Sequence, residues 1–483
     1  MTEMRFWPIA DGLPGRIGLR AQEIQEMLTV FTEPQHQAKS VPWHRLIDPL
    51  LKITVVWCIF SFKILFVRVG EAGLRPDDLL ILASFAALLL AGRVRQTPVS
   101  IPLRLYLLYV GVEVISAVWN ASQGRVELAY SLVFVLRLLE YVAFYFIGHW
   151  LARSEFSLTR VATYYLYTLC FVVPLQMLSL LPVPGVFGPG RASGNTNGPY
   201  ELAVVCGFLL CYVAYRKRSV LVGIACVTLI LLTASRITLI ASVLSLLHFA
   251  LSRTQSLSKA KLITLTSALC FLGGGLYLLS SVGQVHVGAF DRLENSSSLG
   301  IEDARSIYDA APIAENASKY MEGSFQDFNG LDTANFDGDM SGLIRFTRWL
   351  TLLKTTFAHV DSIIIGLGPS FGSAAVDGYY TRCFVETGAL GLLAFLAFLG
   401  ALLFSTRGTT WYFRDYIVIV MVSAIFIDTF LSYKSMLFLW LWHGVNQYRR
   451  RIPSVTRRRR HRGRTRPFYM INGDRSSTGN RGV

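Results

Sequence analysis

The chain has 483 residues, of which 53% are hydrophobic and only 16% charged, with a mean hydropathy of +0.45. A soluble domain carries about 25% charge, so a long disordered protein, a collagen and a disulfide scaffold are excluded. The net charge of +15 does not mark a nucleic-acid binder either, because from Arg449 onward twelve Arg and one Asp supply +11 of it, as a basic tail on an apolar body.

In chain order, residues 1–52 read as a cytoplasmic N-terminal segment, polar and without a secretory signal. Twelve apolar blocks of roughly membrane-spanning length follow. They lie near 53–69, 77–92, 105–119, 128–152, 161–181, 199–215, 219–234, 237–251, 262–282, 379–405, 416–432 and 435–447. A straight span needs about 20 residues, so either the shorter blocks run on or some helices are broken around a cavity. The pair 219–234 and 237–251 reads as two spans or one bent hairpin. Nine spans thus fill 53–282, three fill 379–447, and residues 448–483 form the basic tail. The expected fold is all-α, a polytopic membrane helical bundle of about 12 transmembrane helices with one large, partly helical loop.

Orientation follows from the excess of Lys and Arg in cytoplasmic loops. With the N-terminus inside, the inner loops hold Arg93, Arg95 and Arg104, then Arg153 and Arg160, then Arg216, Lys217 and Arg218. Arg253, Lys259 and Lys261, then Arg407 and Arg414, and finally the tail continue the series. Both termini are therefore expected in the cytoplasm. The 96 residues of 283–378 fall on the outer face with thirteen acidic and six basic residues, a net −7. The loop begins acidic and irregular, turns amphipathic at Leu343–Phe357, and ends Gly-rich at Gly366-Leu-Gly-Pro-Ser-Phe-Gly372. Leu343, Phe346, Trp349, Leu350, Leu353 and Phe357 recur there at helical spacing.

Arginines on the outer face run against the positive-inside bias and call for a reason. They are Arg191 in Gly190-Arg-Ala-Ser-Gly-Asn-Thr-Asn-Gly-Pro-Tyr-Glu-Leu-Ala203, Arg236 in Thr233-Ala-Ser-Arg-Ile-Thr238, and Arg345 and Arg348 on the loop helix. The planar guanidinium fork matches phosphate oxygens. Snorkelling to the interface, or pairing with the acidic loop, is the alternative. Two carboxylates stand near these cations, Asp377 at the mouth of span ten and Glu201 at the start of span six. Either suits proton transfer with a sugar hydroxyl, although helix N-termini attract acids anyway. His286 and His359 are loop histidines without metal-ligand spacing, and His359 is the one weighed for proton transfer. Asn195, Asn197 and Tyr379 are candidate acceptor or glycan contacts.

Within spans lie Lys63, Glu113, Arg137, Glu140 and Asp428, of which Arg137 and Glu140 are spaced to pair on one helical face. Asp77 and Asp78 open a helix, where Asp is favoured. No metal and no cofactor are expected. The seven cysteines, Cys58, Cys170, Cys206, Cys211, Cys226, Cys270 and Cys383, all fall in apolar segments and read as small buried hydrophobes.

Three stretches resemble the O-antigen ligase and Wzy-type polysaccharide polymerase family. Arg191-Ala-Ser-Gly194 followed by Asn197-Gly-Pro199-Tyr-Glu-Leu-Ala203 is similar to its R-x-x-G … N-P-N-x-L-A. Leu232-Thr-Ala-Ser-Arg236 looks like its L-T-x-S-R. Arg345 with Trp349, Gly366-Leu-Gly368, Asp377-Gly-Tyr-Tyr380 and Glu386-Thr-Gly388-Ala-Leu-Gly391 resemble R-x-x-x-W, G-x-G and [HD]-N-x-Y-L … E-x-G-x-x-G. The likeness covers about residues 185–400. Asp377 stands where ligases of the family carry His, Gly378 where Asn is usual, and Tyr200 in place of the second Asn of N-P-N. The Asp points to the polymerase branch.

The resemblance implies a metal-independent membrane glycosyltransferase of the bacterial inner membrane, with 283–378 as a periplasmic loop. Its substrates would be oligosaccharide repeat units on undecaprenyl diphosphate, joined into exopolysaccharide, capsule or O-antigen. A flippase and a chain-length regulator would be its partners in the bilayer. It further implies Arg191, Arg236, Arg345 and Arg348 on diphosphate, with Asp377, Arg236 and Arg345 in catalysis. Loop aromatics (Tyr308, Tyr320, Phe325, Phe328, Phe336) would stack on sugars or simply pack. A ligase that moves finished glycan to lipid A core is the second reading, and a transporter or flippase for lipid-linked sugars the third.

Overall fold

The computed structural model describes residues 43–62, 67–69, 72–154, 156–181, 191–214, 220–233, 235–252, 301–318, 320, 340–372, 376–406 and 411–451. The chain divides into two compact units, Met1–Leu46 and Ile47–Val483. Only residues 43–46 of the first are described, and every other described residue belongs to the second.

The described chain is overwhelmingly helical. Helix α1 (Trp43–Phe60) is followed by a small antiparallel hairpin, β1 (Val67–Val69) with β2 (Ala72–Leu74), paired Val67 to Leu74. Next come α2 (Pro76–Leu90), the short α3 (Arg93–Gln96), α4 (Ile101–Ser122), α5 (Leu128–Leu151) and α6 (Leu158–Met177). Helix α7 (Pro199–Leu209) runs on as a π turn through Leu210–Ala214, and α8 (Val220–Leu232) and α9 (Arg236–Ser252) follow. Between the bundle helices lie α10 (Ile301–Ala310), α11 (Met340–Phe357) and α12 (Val360–Ile365), before α13 (Tyr379–Ser405), α14 (Trp411–Ser423) and α15 (Tyr433–Arg451).

Local sequence sets the helix starts. Pro76 opens α2, and the Asp78 carboxylate accepts from the Arg75 backbone N–H at 2.9 Å. Ser100 caps α4 by accepting from Leu103 N–H, and Ser157 caps α6 by accepting from Arg160 N–H. Pro199 starts α7, with Glu201 in its first turn.

Helix α5 packs along α15, α4 along α13, α2 on α5 and α9 on α14. Close contact between the helices adds dispersion energy across the bundle. Gly148 and Gly444 supply it: a Cβ on Gly148 would overlap the Leu441 carbonyl, and one on Gly444 the Tyr145 carbonyl. Phe208 stacks on Phe438 at 4.4 Å with Trp442 buried against it, while Trp440, also buried, packs on Phe398 and Tyr106. A second, smaller core joins Val126, Ala314, Tyr320, Leu352, Leu367, Phe371, Val376 and Val385, and so unites α11 and the segments that follow α10 and α12 with one end of α13.

Eleven of the twelve predicted blocks coincide with or overlap described helices, and block 262–282 lies outside the described residues. Among the described residues four helices are long and apolar enough to cross a membrane, namely α4, α5, α6 and α13. The first block is corrected: its helix runs from Trp43 to Phe60, and Val67–Leu74 is a hairpin. The hairpin is rich in Val and Gly, which suit a tight strand pair better than a helix. The pair 219–234 and 237–251 forms two helices, α8 and α9.

Helix α11 corrects the expected amphipathic face in part, since of its residues Trp349 and Leu353 do pack against the second core. Thr347, Thr351, Leu352, Thr355 and Thr356 are the buried residues, while Phe357 is 52% exposed. Thr351 donates to the Thr347 carbonyl, Thr355 to Thr351 and Thr356 to Leu352, at 2.8–3.0 Å. Each hydroxyl is satisfied by its own helix, so the threonine methyl groups can face the core.

Candidate functional site

The loop before α7 and helix α11, far apart in sequence, meet at Tyr200. The loop before α7 is held at several points. Gln176 clamps Gly194 through two 2.8 Å bonds, donating to its carbonyl and accepting from its N–H. Ala192 N–H donates to the Leu232 carbonyl at 3.0 Å, and Arg191 Nε to the Thr233 carbonyl at 3.3 Å. The Arg191 loop is thereby fastened to the Thr233–Arg236 turn between α8 and α9. The Arg191 guanidinium then lies 4.5 Å over the Tyr200 ring.

Helix α11 brings Arg345 to the same ring, 5.4 Å from its centroid. Arg345 Nε donates to Asp377 Oδ2 at 3.0 Å, and its Nη2 to the Tyr200 hydroxyl at 2.5 Å. The pair is partly accessible, with side chains 19% and 38% exposed. Burial would lower the Arg345 pKa, but Tyr200 and Asp377 beside it raise it above the ordinary value. Arg345 therefore stays a fixed cation whose fork already holds one carboxylate and one phenol.

The turn that carries Asp377 is pinned from both sides. Asp377 itself has φ +48°, in the left-handed region. Trp349 Nε1 donates to the Val376 carbonyl at 2.6 Å, and Tyr379 N–H to Ala424 O at 2.8 Å. Gly378 N–H donates to Asp428 Oδ1 at 3.3 Å. Asp428 in turn accepts from Arg382 at 2.8 Å, and Arg382 donates to Glu386 at 2.7 Å. Asp428 looks in sequence like an isolated intramembrane charge, and it proves to be the anchor of the Asp377 turn. Tyr200 carries no sequence signal beyond its departure from the N-P-N pattern.

The other candidates divide. Arg236 opens α9, half-buried, in the turn that receives Arg191, and Arg348 is half-buried one turn beyond Arg345. Asn197 is exposed, and its backbone N–H donates to Glu201 at 2.6 Å. Glu201 is buried and also accepts from Lys434 N–H at 2.6 Å, so it secures the start of α15. Asn195, expected at the glycan, is instead buried: its amide reaches the Ile59, Phe60 and Ser61 carbonyls and accepts from Tyr165. These are last carbonyls of α1, which have no partner within their helix. Lys434 Nζ serves the same helix end, donating to Ile59 and Ser61. Tyr379 is likewise a correction, being 1% exposed with its hydroxyl 3.1 Å from that of Tyr109. His359 is exposed at the start of α12. Tyr320 packs on Phe371 and Tyr308 lies under Lys354, while Phe325, Phe328, Phe336 and His286 lie outside the described residues.

Two Gly-containing motifs have a structural explanation. Residues 366–368 cross α13 where it unwinds at Gly388, and both Gly366 (φ +88°) and Gly388 (φ +65°) adopt the left-handed conformation. A Cβ on Gly366 would overlap the Glu386 backbone, and one on Gly388 the Ile364 backbone. Leu367 N–H donates to Val385 O at 2.8 Å, and Gly368 N–H to Glu386 O at 3.1 Å, which closes the crossing.

Elsewhere, Arg137 pairs with Glu140 at 3.6 Å as its spacing predicts, and Asp77 and Asp78 face Arg75 at 4.0 and 3.2 Å. Among the described residues no group of three His, Cys, Asp or Glu side chains is placed to hold a metal ion. Of the described cysteines all are buried free thiols except Cys170, which is exposed, and Cys270 lies outside the described residues. No protein-family model and no curated protein matches the chain.

Proposed function

We propose that the protein is a polysaccharide polymerase of the O-antigen ligase and Wzy type. In this reading it is a multi-pass enzyme of the bacterial inner membrane, with about twelve spans, both termini cytoplasmic and residues 283–378 periplasmic. The observation that carries the reading is the meeting of Arg191, Arg345 and Asp377 around Tyr200. Two fixed cations and one carboxylate suit a reaction whose leaving group is a diphosphate and whose nucleophile is a hydroxyl.

The donor is a glycan on undecaprenyl diphosphate, and the acceptor a sugar hydroxyl on the next lipid-linked repeat unit. Asp377 takes the hydroxyl proton, and the oxygen attacks the anomeric carbon of the donor. The bond from that carbon to the diphosphate breaks, and the lipid diphosphate leaves with the electron pair. Arg191 and Arg345, with Arg236 at the neighbouring turn, hold the charge that develops on it. An anion on Arg345 also competes for the cation that pairs Asp377, which frees the carboxylate when the donor is in place.

Replacement of Arg345 by Ala tests the reading in cells that depend on this chain for polymer. Polymer formation is expected to fall about 100-fold or more, as when a charge-stabilising donor is lost elsewhere. Undiminished long polysaccharide at normal protein level would overturn it. Deletion of the gene separates the two enzymatic readings: loss of a polymerase leaves single repeat units, and loss of a ligase leaves lipid-linked polymer.

A further inference from the structure

The two arginines do not meet by chance of loop placement. Arg191 arrives on a clamped loop, Arg345 on a separate helix, and the Tyr200 side chain touches both. Its ring lies under the Arg191 guanidinium at 4.5 Å and 5.4 Å from that of Arg345, and its hydroxyl accepts from Arg345 at 2.5 Å. The two charge centres are thus never farther apart than those two centroid distances combined. Tyr200 is itself held, as the second residue of a helix that begins at Pro199 and is secured by Glu201 to the start of α15.

We infer that Tyr200 is a positioning residue that sets the spacing of Arg191 and Arg345 and so makes the site select a diphosphate over a monophosphate. This rests on the reading of the site as a diphosphate site. Two like charges repel, and Tyr200 links the two arginines in addition to what holds each separately, the Asp377 carboxylate for Arg345 and the Thr233 carbonyl for Arg191. The π face holds one cation and the phenol oxygen the other. A single phosphate group needs only one guanidinium, whereas a diphosphate gains from two held at a fixed separation. Preorganised spacing therefore acts on the second phosphate and hardly on the first.

The test is the ratio of dissociation constants for farnesyl monophosphate and farnesyl diphosphate, measured on the full chain in nanodiscs. The unmodified protein is expected to prefer the diphosphate by about tenfold or more, as one added charge-assisted contact implies. Tyr200→Phe keeps the ring and is expected to lose about threefold of that preference. Tyr200→Ala is expected to bring the ratio close to one, while monophosphate affinity changes by less than about twofold. Tyr200→Leu replaces the Ala variant if that variant fails to fold.

Arg191→Ala serves as the reference. If it abolishes the preference and the Tyr200 variants keep it in full, the positioning role is overturned and the diphosphate site stands. If Arg191→Ala and Arg345→Ala both bind the diphosphate as the unmodified protein does, the diphosphate site itself is overturned, and the role of Tyr200 with it. A purely structural role would lower both affinities together and leave their ratio unchanged, which also overturns the inference.

Discussion

The helical bundle and the module formed by α10, α11 and α12 are built on different forces. The bundle is held by continuous apolar burial, stacked aromatics and backbone approach at glycines such as Gly148 and Gly444. The module has a small core, and charged ties carry much of its attachment. Lys354 Nζ donates to the carbonyls of Tyr308, Asp309 and Ala311 at 2.7–2.9 Å, and so closes the C-terminal end of α10. Arg125, in the middle of the α4–α5 connection, donates to Asp361 at 2.7 Å and to Ser362 at 3.1 Å. Shape complementarity resists solvent conditions, whereas ion pairs and capped ends respond to them. The cluster around Tyr200 draws Arg345 from the responsive module and Arg191 and Tyr200 from the bundle.

The largest effect should come from the bundle. Gly148→Val places a branched side chain against the Leu441 backbone, which cannot yield without separating α5 from α15. About 4 kcal/mol or more of destabilisation is expected, seen as loss of monodisperse protein in detergent. A variant that melts like the unmodified protein would show that the helices do not rely on this approach. Lys354→Met should act on the module alone. Removing charged hydrogen bonds of this kind costs about 1.5–3 kcal/mol each, reduced where water reaches the freed carbonyls. Hydrogen exchange over 301–310 should quicken about ten- to hundredfold while α5 and α15 keep their protection. Faster exchange in α15 as well would mean that the two regions are not separable.

The smallest effect concerns pH. The hydrogen bond from Arg125 holds the Asp361 carboxyl below its ordinary value of 3.8, and one from Trp119 adds to it. A depressed folded-state pKa contributes stability that is complete above about 3.8 and is lost as pH falls through the lower folded value. Limited proteolysis of the module should therefore rise only below pH 3.8, modestly, because Asp361 is partly exposed. Asp361→Asn should be cleaved somewhat faster at neutral pH and show no such rise.

Much of the bundle is legible in the sequence, because span length and apolarity are local properties. The block 128–152 is α5 nearly to the residue, and 379–405 is α13. The first block misled because apolarity alone does not separate a helix from the Val- and Gly-rich hairpin that follows it. The face of α11 misled because a threonine that bonds its own helix packs like valine, and composition rates it polar. At the site, the residue types are legible and their partners are not. Tyr200 meets Arg345 across 145 positions and Asp428 meets Gly378 across 50, and no spacing rule reaches that far. Asn195 and Tyr379 sit in the stretches that carry the resemblance but are buried.

The crossing of Gly366 with Gly388 has a topological consequence. Contact between these two positions turns the stretch between them into a closed ring without a covalent link. Asp377 lies eleven residues from either end, at the ring's midpoint. A closure of this kind removes chain entropy as a crosslink would. It also fixes the length of each arm, because neither backbone can slide past a point that tolerates no side chain. The arms therefore act as a ruler for the carboxylate. One residue added between Gly366 and Asp377 would carry the carboxylate away from Arg345, whereas one added between Asp377 and Gly388 would also rotate the first turns of α13.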